Sequence, residues 1–235
     1  LPIWEMSHPF LQKSRSDKKA VILITSNRGL AGGYNSNAVK LLTKDERFTT
    51  ENTVVYAVGT KGRDSVEREG YTIAGDYSEA INEPLYADAS EIGKEVLSKF
   101  TMGEIGEIYL IYTIFKNTMV QIPTMMKLLP INASDITADA EDVEENPIDR
   151  ITLMNYEPAP EEALNAIIPK YVNSLIFGGL VESHASENGA RMQAMDSATS
   201  NAEEMIDQLN LYYNRARQAS ITQEITEIVA GAEGL

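Results

Sequence analysis

A glycine-rich turn early in the chain is the first place where the residue types could bind a ligand. It runs from Asn27 to Gly33 and follows a short apolar segment, Ala20 to Thr25. Turns of this kind, between a strand and a helix, hold phosphate on free backbone N–H groups in doubly wound nucleotide-binding folds. The spacing is not G-x-G-x-x-G, and the chain contains no G-x-x-x-x-G-K-[ST]. The motif therefore favours a structural turn with tight backbone packing over a phosphate site.

Metal binding and nucleophilic catalysis find little support in the residue types. The chain has two histidines, His8 and His184, and no cysteine, and no His/Glu cluster has the spacing of a metal site. Ser183 and His184 precede Ser186 and Glu187, which together supply the residue types of a catalytic triad. Adjacent residues on a helix point in different directions, so this arrangement makes a poor triad. We predict no catalytic residue, no metal site and no cofactor.

The elements that would position these residues alternate between strand and helix in the first part of the chain. Short apolar runs predict strands, and a possible cap at Asn35, Ser36 and Asn37 predicts the start of the first helix. Residues 19 to 75 thus read β-α-β-α-β, with strands at 20–25, 54–58 and 71–73 and a second helix over 59–69. This alternation indicates a parallel sheet with covered faces.

A helix and a β-hairpin are predicted to follow. The helix covers Tyr86 to Phe100, and two further apolar runs, 107–115 and 118–126, are separated only by Lys116 and Asn117. A two-residue link with Asn, which tolerates positive φ, is typical of a hairpin. Pro123 places the second strand at an edge. The predicted fold class is α/β, with a mixed Rossmann-like sheet that joins a parallel βαβαβ half to an antiparallel hairpin.

Charge is concentrated in one stretch. The chain has 20 basic and 35 acidic residues, a net charge of −15, and ten of the acids lie between 135 and 162 with one base. A phosphate backbone needs a basic face, so nucleic acid is not an expected partner. We predict that 135–149 is a mobile solvated loop; a calcium loop is the alternative, but its glycine-centred ligand spacing is missing. Uninterrupted apolar runs reach about seven residues against the ~20 that span a bilayer, so no direct bilayer insertion is expected.

From Glu161 almost to the end, the chain follows a helical period. Small or apolar residues recur at alternating steps of three and four and form a heptad seam: Leu164, Ile167, Tyr171, Ser174, Gly178, Val181, Ala185, Met192, Met195, Thr199, Ala202, Ile206, Leu209, Tyr213, Ala216 and Ser220. Pro169 and the Gly178–Gly179 pair are predicted to kink or divide this helix. Residues 180–229 alone would extend ~75 Å, so the helix projects from its domain. Its seam needs a partner in this chain or another.

The end of this helix offers a surface for a partner. Arg215 and Arg217 are the only charged residues between Leu209 and Gln223. They form either an ordinary solvated face or a basic collar, since Arg makes forked contacts to carboxylates. An apolar tip follows, which is unusual in a monomer and suggests insertion into a protein sleeve; it consists of Ile221, Ile225, Ile228, Val229 and Leu235.

Two long stretches of the sequence resemble the gamma subunit of F-type (rotary) ATP synthases. The first is Ile24-Thr-Ser-Asn-Arg-Gly-Leu-Ala-Gly-Gly-Tyr-Asn-Ser-Asn37, and the second combines residues 190–202 with 213–229. Weaker similarity occurs at Lys116-Asn-Thr118, Gln121-Ile-Pro-Thr124 and Tyr156-Glu-Pro158. The resemblance therefore extends over almost the whole chain.

The resemblance implies a rotor shaft. In this family an antiparallel coiled coil threads the ring of alternating alpha and beta catalytic subunits, and the α/β domain forms a foot that meets the epsilon subunit and the membrane ring of c subunits. By position, the residues implied to face the catalytic ring are Arg191, Arg217, Gln218, Thr222, Glu224 and Glu227, and those implied to lie near the foot contacts are Tyr156 and Glu157. The Gly-rich turn belongs to the family signature without being a nucleotide site.

The resemblance also implies how the chain is organised and where it works. We expect a foot domain over 1–160, with the acidic stretch 135–149, and a coiled-coil shaft helix over 161–235. The subunit would be non-catalytic, would couple proton-driven rotation to ATP synthesis or hydrolysis, and would lie at the cytoplasmic side of a bacterial cell membrane as a peripheral protein. The absence of cysteine separates the chain from chloroplast relatives, which carry a regulatory cysteine pair.

Two expectations stay open beside this reading. The chain has almost none of the long N-terminal helix that family members carry before the region beginning here near His8 and Pro9, so that helix is either truncated or outside the printed sequence. The alternative function is a small-molecule- or nucleotide-binding α/β enzyme domain. Such a domain would use the crevice at the carboxyl ends of the strands, near Ser26 and Gly59.

Overall fold

The computed structural model describes residues 9–11, 16–131 and 160–233. Within these residues the strands form one sheet: β1 Lys19–Ile24, β2 Thr53–Val58, β3 Thr72–Asp76, β4 Glu107–Phe115 and β5 Gln121–Leu129. The α-helices of the same residues are α1 Tyr34–Thr43, α2 Thr60–Arg68, α3 Tyr86–Thr101 and α4 Pro160–Glu233, with a short 3-10 helix at Ser78–Ile81.

The sheet has the order β3-β2-β1-β4-β5. β1 pairs in parallel with both β2 and β4, β2 pairs in parallel with β3, and β5 is antiparallel to β4 at the edge. The predicted mixed sheet is therefore confirmed. Pro123 lies on β5 opposite Thr113, at an edge position where a residue without an N–H group is tolerated.

The central strand β1 explains why the first apolar run is continuous. Side chains alternate between the two faces of a strand, and both faces of this sheet are covered. Ile22 and Ile24 belong to the core cluster that includes residues of α3 and α4. Val21 and Leu23 belong to the cluster on the other face, with residues of α1 and α2. A strand buried on both sides carries apolar residues at every position.

The β4–β5 hairpin is confirmed, but its loop is longer than predicted. β5 begins at Gln121 rather than at Thr118, so residues 116–120 connect the strands instead of Lys116 and Asn117 alone. The Asn117 side chain closes this loop, because its Oδ1 accepts hydrogen bonds from the N–H groups of Met119 and Val120. The apolar pattern predicts Met119 and Val120 to be strand residues, yet both lie exposed in the loop.

Two further boundaries differ from the prediction. α1 begins at Tyr34 with Gly33 as its N-cap residue, so Asn35 is inside the helix and does not cap it. The Asn35 side chain instead accepts a hydrogen bond from the N–H of Ser26 at 2.9 Å. β3 continues to Asp76, beyond the predicted end at Ile73.

Helix α4 is one continuous element of 74 residues, about 110 Å at the usual rise per residue. Of the predicted kink or division at Pro169 and Gly178–Gly179, the division is wrong, because the helix continues through both sites. Pro169 lies between Ile168 and Val172, which are both buried in the core, so packing holds the helix together where one hydrogen bond is lost. At Gly179 the helix meets the sheet closely, since a Cβ there would lie 3.1 Å from Leu110 Cδ2.

The first half of α4 has two different apolar faces. The face on the sheet contains buried side chains at Ile168, Val172, Ile176 and Leu180. The predicted heptad seam is a separate face: Ile167 is 60% exposed and Tyr171 50% exposed. From residue 195 to residue 232 every position of the helix is exposed. The helix therefore packs on the sheet with one face and then leaves it entirely.

Candidate functional site

The residues that follow β1 and lead into the Gly-rich turn bind the start of α2 with their polar groups. The first three N–H groups of α2 are all taken: Thr60 donates to Asn27 Oδ1 at 3.0 Å, Lys61 to the Ser26 carbonyl at 3.0 Å, and Gly62 to Thr25 Oγ1 at 2.9 Å. These are the groups that a helix N-terminus offers to phosphate in a doubly wound fold. Thr25, Ser26 and Asn27 therefore act as caps at this helix start.

Close packing reinforces the same arrangement. A Cβ at Gly59, which has φ +105°, would lie 2.3 Å from the carbonyl oxygen of Thr25, and one at Gly62 would lie 2.4 Å from Thr25 Oγ1. The side chain of Asn27 also donates to the Ser78 carbonyl at 2.7 Å. The crevice between the ends of β1 and β2 is therefore closely packed. A Cβ added at Gly29 or Gly32, inside the Gly-rich turn itself, would meet nothing within 4 Å, so the tight packing predicted for the turn lies at the start of α2 instead.

The other side of the turn packs against α4. Ala31 and Tyr34 are buried with Ala190 of α4, and the Tyr34 hydroxyl donates to the Ser183 carbonyl at 3.1 Å. Burial raises the pKa of Tyr34 above its ordinary value, so the hydroxyl keeps its proton and remains a donor. Leu30 points outward, 74% exposed, from a backbone with φ +64°.

Arg191 joins the turn to the helix. Its Nη2 lies 2.6 Å from Glu187 Oε1 and 3.5 Å from the carbonyl oxygen of Gly29. The Glu187 side chain is only 9% exposed and that of Arg191 26% exposed. Sequence reasoning placed Arg191 against a partner and missed Glu187 as its counter-ion. The signal was present, because an acid four residues before an Arg on a helix forms such a pair.

The other residues matched to the catalytic ring lie together on the projecting part of α4. Arg217, Gln218, Thr222, Glu224 and Glu227 are all exposed. Two hydrogen bonds within the helix involve these residues: Thr222 Oγ1 donates to the Gln218 carbonyl at 2.8 Å, and Gln223 Nε2 donates to Glu227 Oε1 at 3.0 Å. Arg191 lies 26 positions before Arg217, about 39 Å along a helix. Tyr156 and Glu157 are outside the described residues, as is the acidic stretch 135–149.

The serine–histidine sequence on α4 has structural contacts. His184 Nδ1 is 3.0 Å from the Ile81 carbonyl oxygen, while the Ser183 hydroxyl accepts from the Thr113 N–H at 3.1 Å. The two side chains thus contact different elements, which agrees with the poor triad geometry expected for neighbours. Within 9–11, 16–131 and 160–233, no group of three His, Cys, Asp or Glu side chains is placed to hold a metal ion.

A groove of about 280 Å³ lies between the Gly-rich turn, the end of the hairpin and α4, and Gly32, Gln121 and Gln193 are among the residues that line it.

Helix α4 is long and apolar enough, by length and composition alone, to cross a membrane. An 18-residue window of the helix has a mean hydropathy of 1.2 and is 28% buried. Ile168, Val172 and Ile176 show that one apolar face of this helix packs on the sheet.

Fold and site together define an α/β protein that carries a long exposed helix braced by a Gly-rich turn. Residues 3–235 match the family model described as ATP synthase. A relative from Lachnoclostridium phytofermentans named ATP synthase gamma chain is 61% identical over 98% of this chain and 78% of its own length. The sodium-ion-specific ATP synthase gamma chain of Acetobacterium woodii is 45% identical over 96% of this chain and 78% of its own length.

The chain belongs to the ATP synthase gamma chain family. Family membership gives it the central rotor role in an F-type ATP synthase that the resemblance implied, as part of a membrane-associated complex. A structure of the OSCP, F1 and c-ring part of the Euglena gracilis mitochondrial ATP synthase has the same fold at 19% identity, with a TM-score of 0.65 over 98% of this chain and 80% of that one. A central-stalk structure from Tetrahymena thermophila matches at 24% identity, with a TM-score of 0.58 over 84% of each chain.

Proposed function

We propose that this chain is the shaft that couples proton-driven rotation of a membrane ring to ATP synthesis or hydrolysis in a catalytic ring. The observation that carries the proposal is α4, whose residues 195–232 are exposed at every position although Ile206, Leu209 and Tyr213 form an apolar seam. Apolar surface of this extent needs a partner, and a ring around the helix supplies one. The functional boundary is proposed at 160/161, with the foot before it and the shaft helix after it.

The partners of the shaft are proposed to be the alpha and beta subunits. Arg217, Gln218, Thr222, Glu224 and Glu227 share an exposed part of α4 and offer both charges and polar groups. An asymmetric helix that contacts three equivalent catalytic interfaces differently favours a different nucleotide state at each one, and rotation moves that preference around the ring. Arg191 is proposed to face the catalytic ring at a separate point, about 39 Å along α4 from Arg217, while its guanidinium stays paired with Glu187.

The partners of the foot are proposed to be the epsilon subunit and the c-subunit ring, with Tyr156 and Glu157 near the contact. We place the chain at the cytoplasmic face of a bacterial cell membrane as a peripheral subunit. Direct insertion of α4 is disfavoured because one apolar face packs on the sheet and because the exposed half carries Arg215 and Arg217, which are costly inside a bilayer.

The chain is proposed to be non-catalytic on its own and to need no cofactor. The occupied N–H groups at Thr60, Lys61 and Gly62 support this, since they leave the start of α2, at the crevice near Ser26 and Gly59, without free donors for a phosphate. A nucleotide-binding enzyme domain is the second candidate. Calorimetric titration of the isolated chain with ATP tests this candidate. Tight binding at a fixed stoichiometry would favour the enzyme domain over the shaft.

Reconstitution tests the shaft directly. The full-length gamma subunit is mixed with alpha and beta subunits, and ATP hydrolysis is measured with and without it. We expect hydrolysis to depend on the subunit, and membrane complexes containing it to acidify vesicles when ATP is added. Since one relative is named sodium ion specific, transport is measured in parallel with sodium and with a proton uncoupler. Hydrolysis and transport that do not depend on the subunit would refute the proposal.

A further inference from the structure

Two buried serine hydroxyls of α4 bind both backbone groups of one residue of the sheet. Thr113 donates its N–H to Ser183 Oγ at 3.1 Å, and its carbonyl accepts from the Ser186 hydroxyl at 3.0 Å. Both serines are fully buried, and Thr113 is 2% exposed. The pairing of β4 with β1 ends at Ile111 opposite Leu23, so Thr113 lies past the last paired position. We refer to Ser183 and Ser186 as the serine pair.

The sheet offers Thr113 no backbone partner on the β1 side because the chain turns away after β1. The Thr25 N–H donates to the Val58 carbonyl at 2.7 Å, and the Ser26 N–H donates to Asn35 Oδ1 at 2.9 Å. Buried backbone groups are almost always paired. The serine pair therefore takes the place of a neighbouring strand, and a helix is hydrogen-bonded to the end of a sheet.

Glycines on either side of the serine pair let α4 approach β4 closely enough for the two hydrogen bonds to Thr113. A Cβ at Gly179 would lie 3.1 Å from Leu110 Cδ2, and one at Gly189 would lie 3.1 Å from Phe115 Cε2. Ala at either position would crowd these side chains by a few tenths of an ångström, and a larger side chain would hold α4 farther from β4. The Tyr34 hydroxyl adds a third bond, to the Ser183 carbonyl.

We propose that the serine pair fixes the angular position of α4 about its own axis relative to the sheet, and that Ser183 and Ser186 are positioning residues for torque transfer. The proposal rests on the rotor role. Apolar contacts such as those of Ile176 and Leu180 have no preferred direction, whereas a hydrogen bond weakens steeply as it bends. The serine pair lies close to where α4 leaves the sheet, so it holds the arm that begins near residue 195.

The test uses the full-length subunit in the complete membrane complex. Ser183→Ala with Ser186→Ala is compared with wild type and with Ser200→Ala, the same change at an exposed position of the same helix. We measure ATP hydrolysis, ions transported per ATP hydrolysed in vesicles, and amide hydrogen exchange at Thr113. Because each lost bond favours local opening, we expect exchange at Thr113 to be about fivefold faster. Transport per ATP should fall by about twofold or more, with hydrolysis within about twofold of wild type.

Each outcome decides between the alternatives. Unchanged transport per ATP together with faster exchange at Thr113 would show that the bonds exist but do not position the helix, and unchanged exchange would show that they do not hold Thr113. If the double variant does not assemble, Ser186→Ala alone, which keeps the Ser183 bond, is scored in the same way. A wild-type complex that fails to couple hydrolysis to transport would refute the rotor role itself, whereas a normal wild type with a normal double variant refutes only the role of the serine pair.

Discussion

The guanidinium of Arg191 lies 2.6 Å from the carboxylate of Glu187, one turn earlier on the same helix, and both side chains are largely withdrawn from solvent. Removal of Arg191 would leave the Glu187 charge buried without its counter-ion. We expect Arg191→Met to lower the free energy of unfolding by about 2 kcal/mol. Urea unfolding of the chain measures this. Arg217→Met, the same change on the exposed part of α4, is the control, and its free energy of unfolding should stay within about ±0.5 kcal/mol of wild type. Equal losses in the two variants would contradict a stabilising pair between Arg191 and Glu187.

A second prediction concerns the glycines of the crevice between β1 and β2. Gly59→Ala would place a Cβ 2.3 Å from the Thr25 carbonyl oxygen on a backbone with φ +105°. We expect a loss of about 3 kcal/mol in unfolding free energy. Gly29→Ala is the matched control, because nothing lies within 4 Å of its Cβ position. A stable Gly59→Ala variant would show that the crevice is more open than this packing allows.

The ion pair between Glu107 and Lys127, at 2.8 Å, predicts a pH dependence. Burial alone would raise the pKa of Glu107, but hydrogen bonds from Lys127 and Tyr109 outweigh it and hold that pKa below its ordinary value. A lowered pKa in the folded state stabilises the protein above the unfolded-state pKa and loses its effect as the pH falls through the folded value. Lys127→Met should therefore cost about 1 kcal/mol at neutral pH.

The cost of Lys127→Met should shrink as the pH falls below the ordinary Glu pKa of about 4.3, and it should vanish once the pH has passed the lowered pKa of Glu107 in the folded wild type. Thermal unfolding from neutral to acidic pH measures this difference. Lys116→Met, at an exposed position in the hairpin loop, should give a small difference that does not vary with pH. If the cost of Lys127→Met grew toward acidic pH, the ion pair between Glu107 and Lys127 would not be the source of the lost stability.

Residues on the projecting part of α4 are expected to contribute to assembly of the complex but not to folding of the isolated chain. Arg217 and Gln218 are exposed on α4, far along the chain from the sheet. We expect Arg217→Ala with Gln218→Ala to leave the unfolding midpoint of the isolated chain nearly unchanged. In the full-length subunit the same pair should weaken assembly or ATP-driven turnover, since truncating a desolvated Arg–carboxylate contact costs ~2–5 kcal/mol. A variant that melts far lower alone but assembles and turns over normally would make these residues structural.

The isolated chain is expected to hydrolyse no ATP. Thr25, Ser26 and Asn27 occupy the N–H groups at the start of α2, and the sequence has no phosphate-binding Lys loop. Phosphate release is measured across the fractions of a sizing column. Activity that follows the polypeptide through further purification would contradict this expectation.

Much of the fold was predictable from the sequence because it depends on local pattern. The continuous apolar run around Ile22 identifies a strand buried on both faces, and Pro123 identifies an edge strand. The period of three and four after Glu161 identifies a helix too long to be contained in its domain. These signals arise from side chains close together in sequence, where strand and helix geometry impose a fixed repeat.

The tertiary structure alone decided how α4 is used. The helix has two apolar faces, and periodicity cannot say which one packs on the sheet: Ile168 is buried while its neighbour Ile167, on the seam, is exposed. Contacts such as Thr25 with Gly62 and Thr113 with Ser183 join residues that are distant in the chain. They form only when strands end at particular points and leave buried backbone groups that some side chain must satisfy, and those end points depend on the packing of the whole domain.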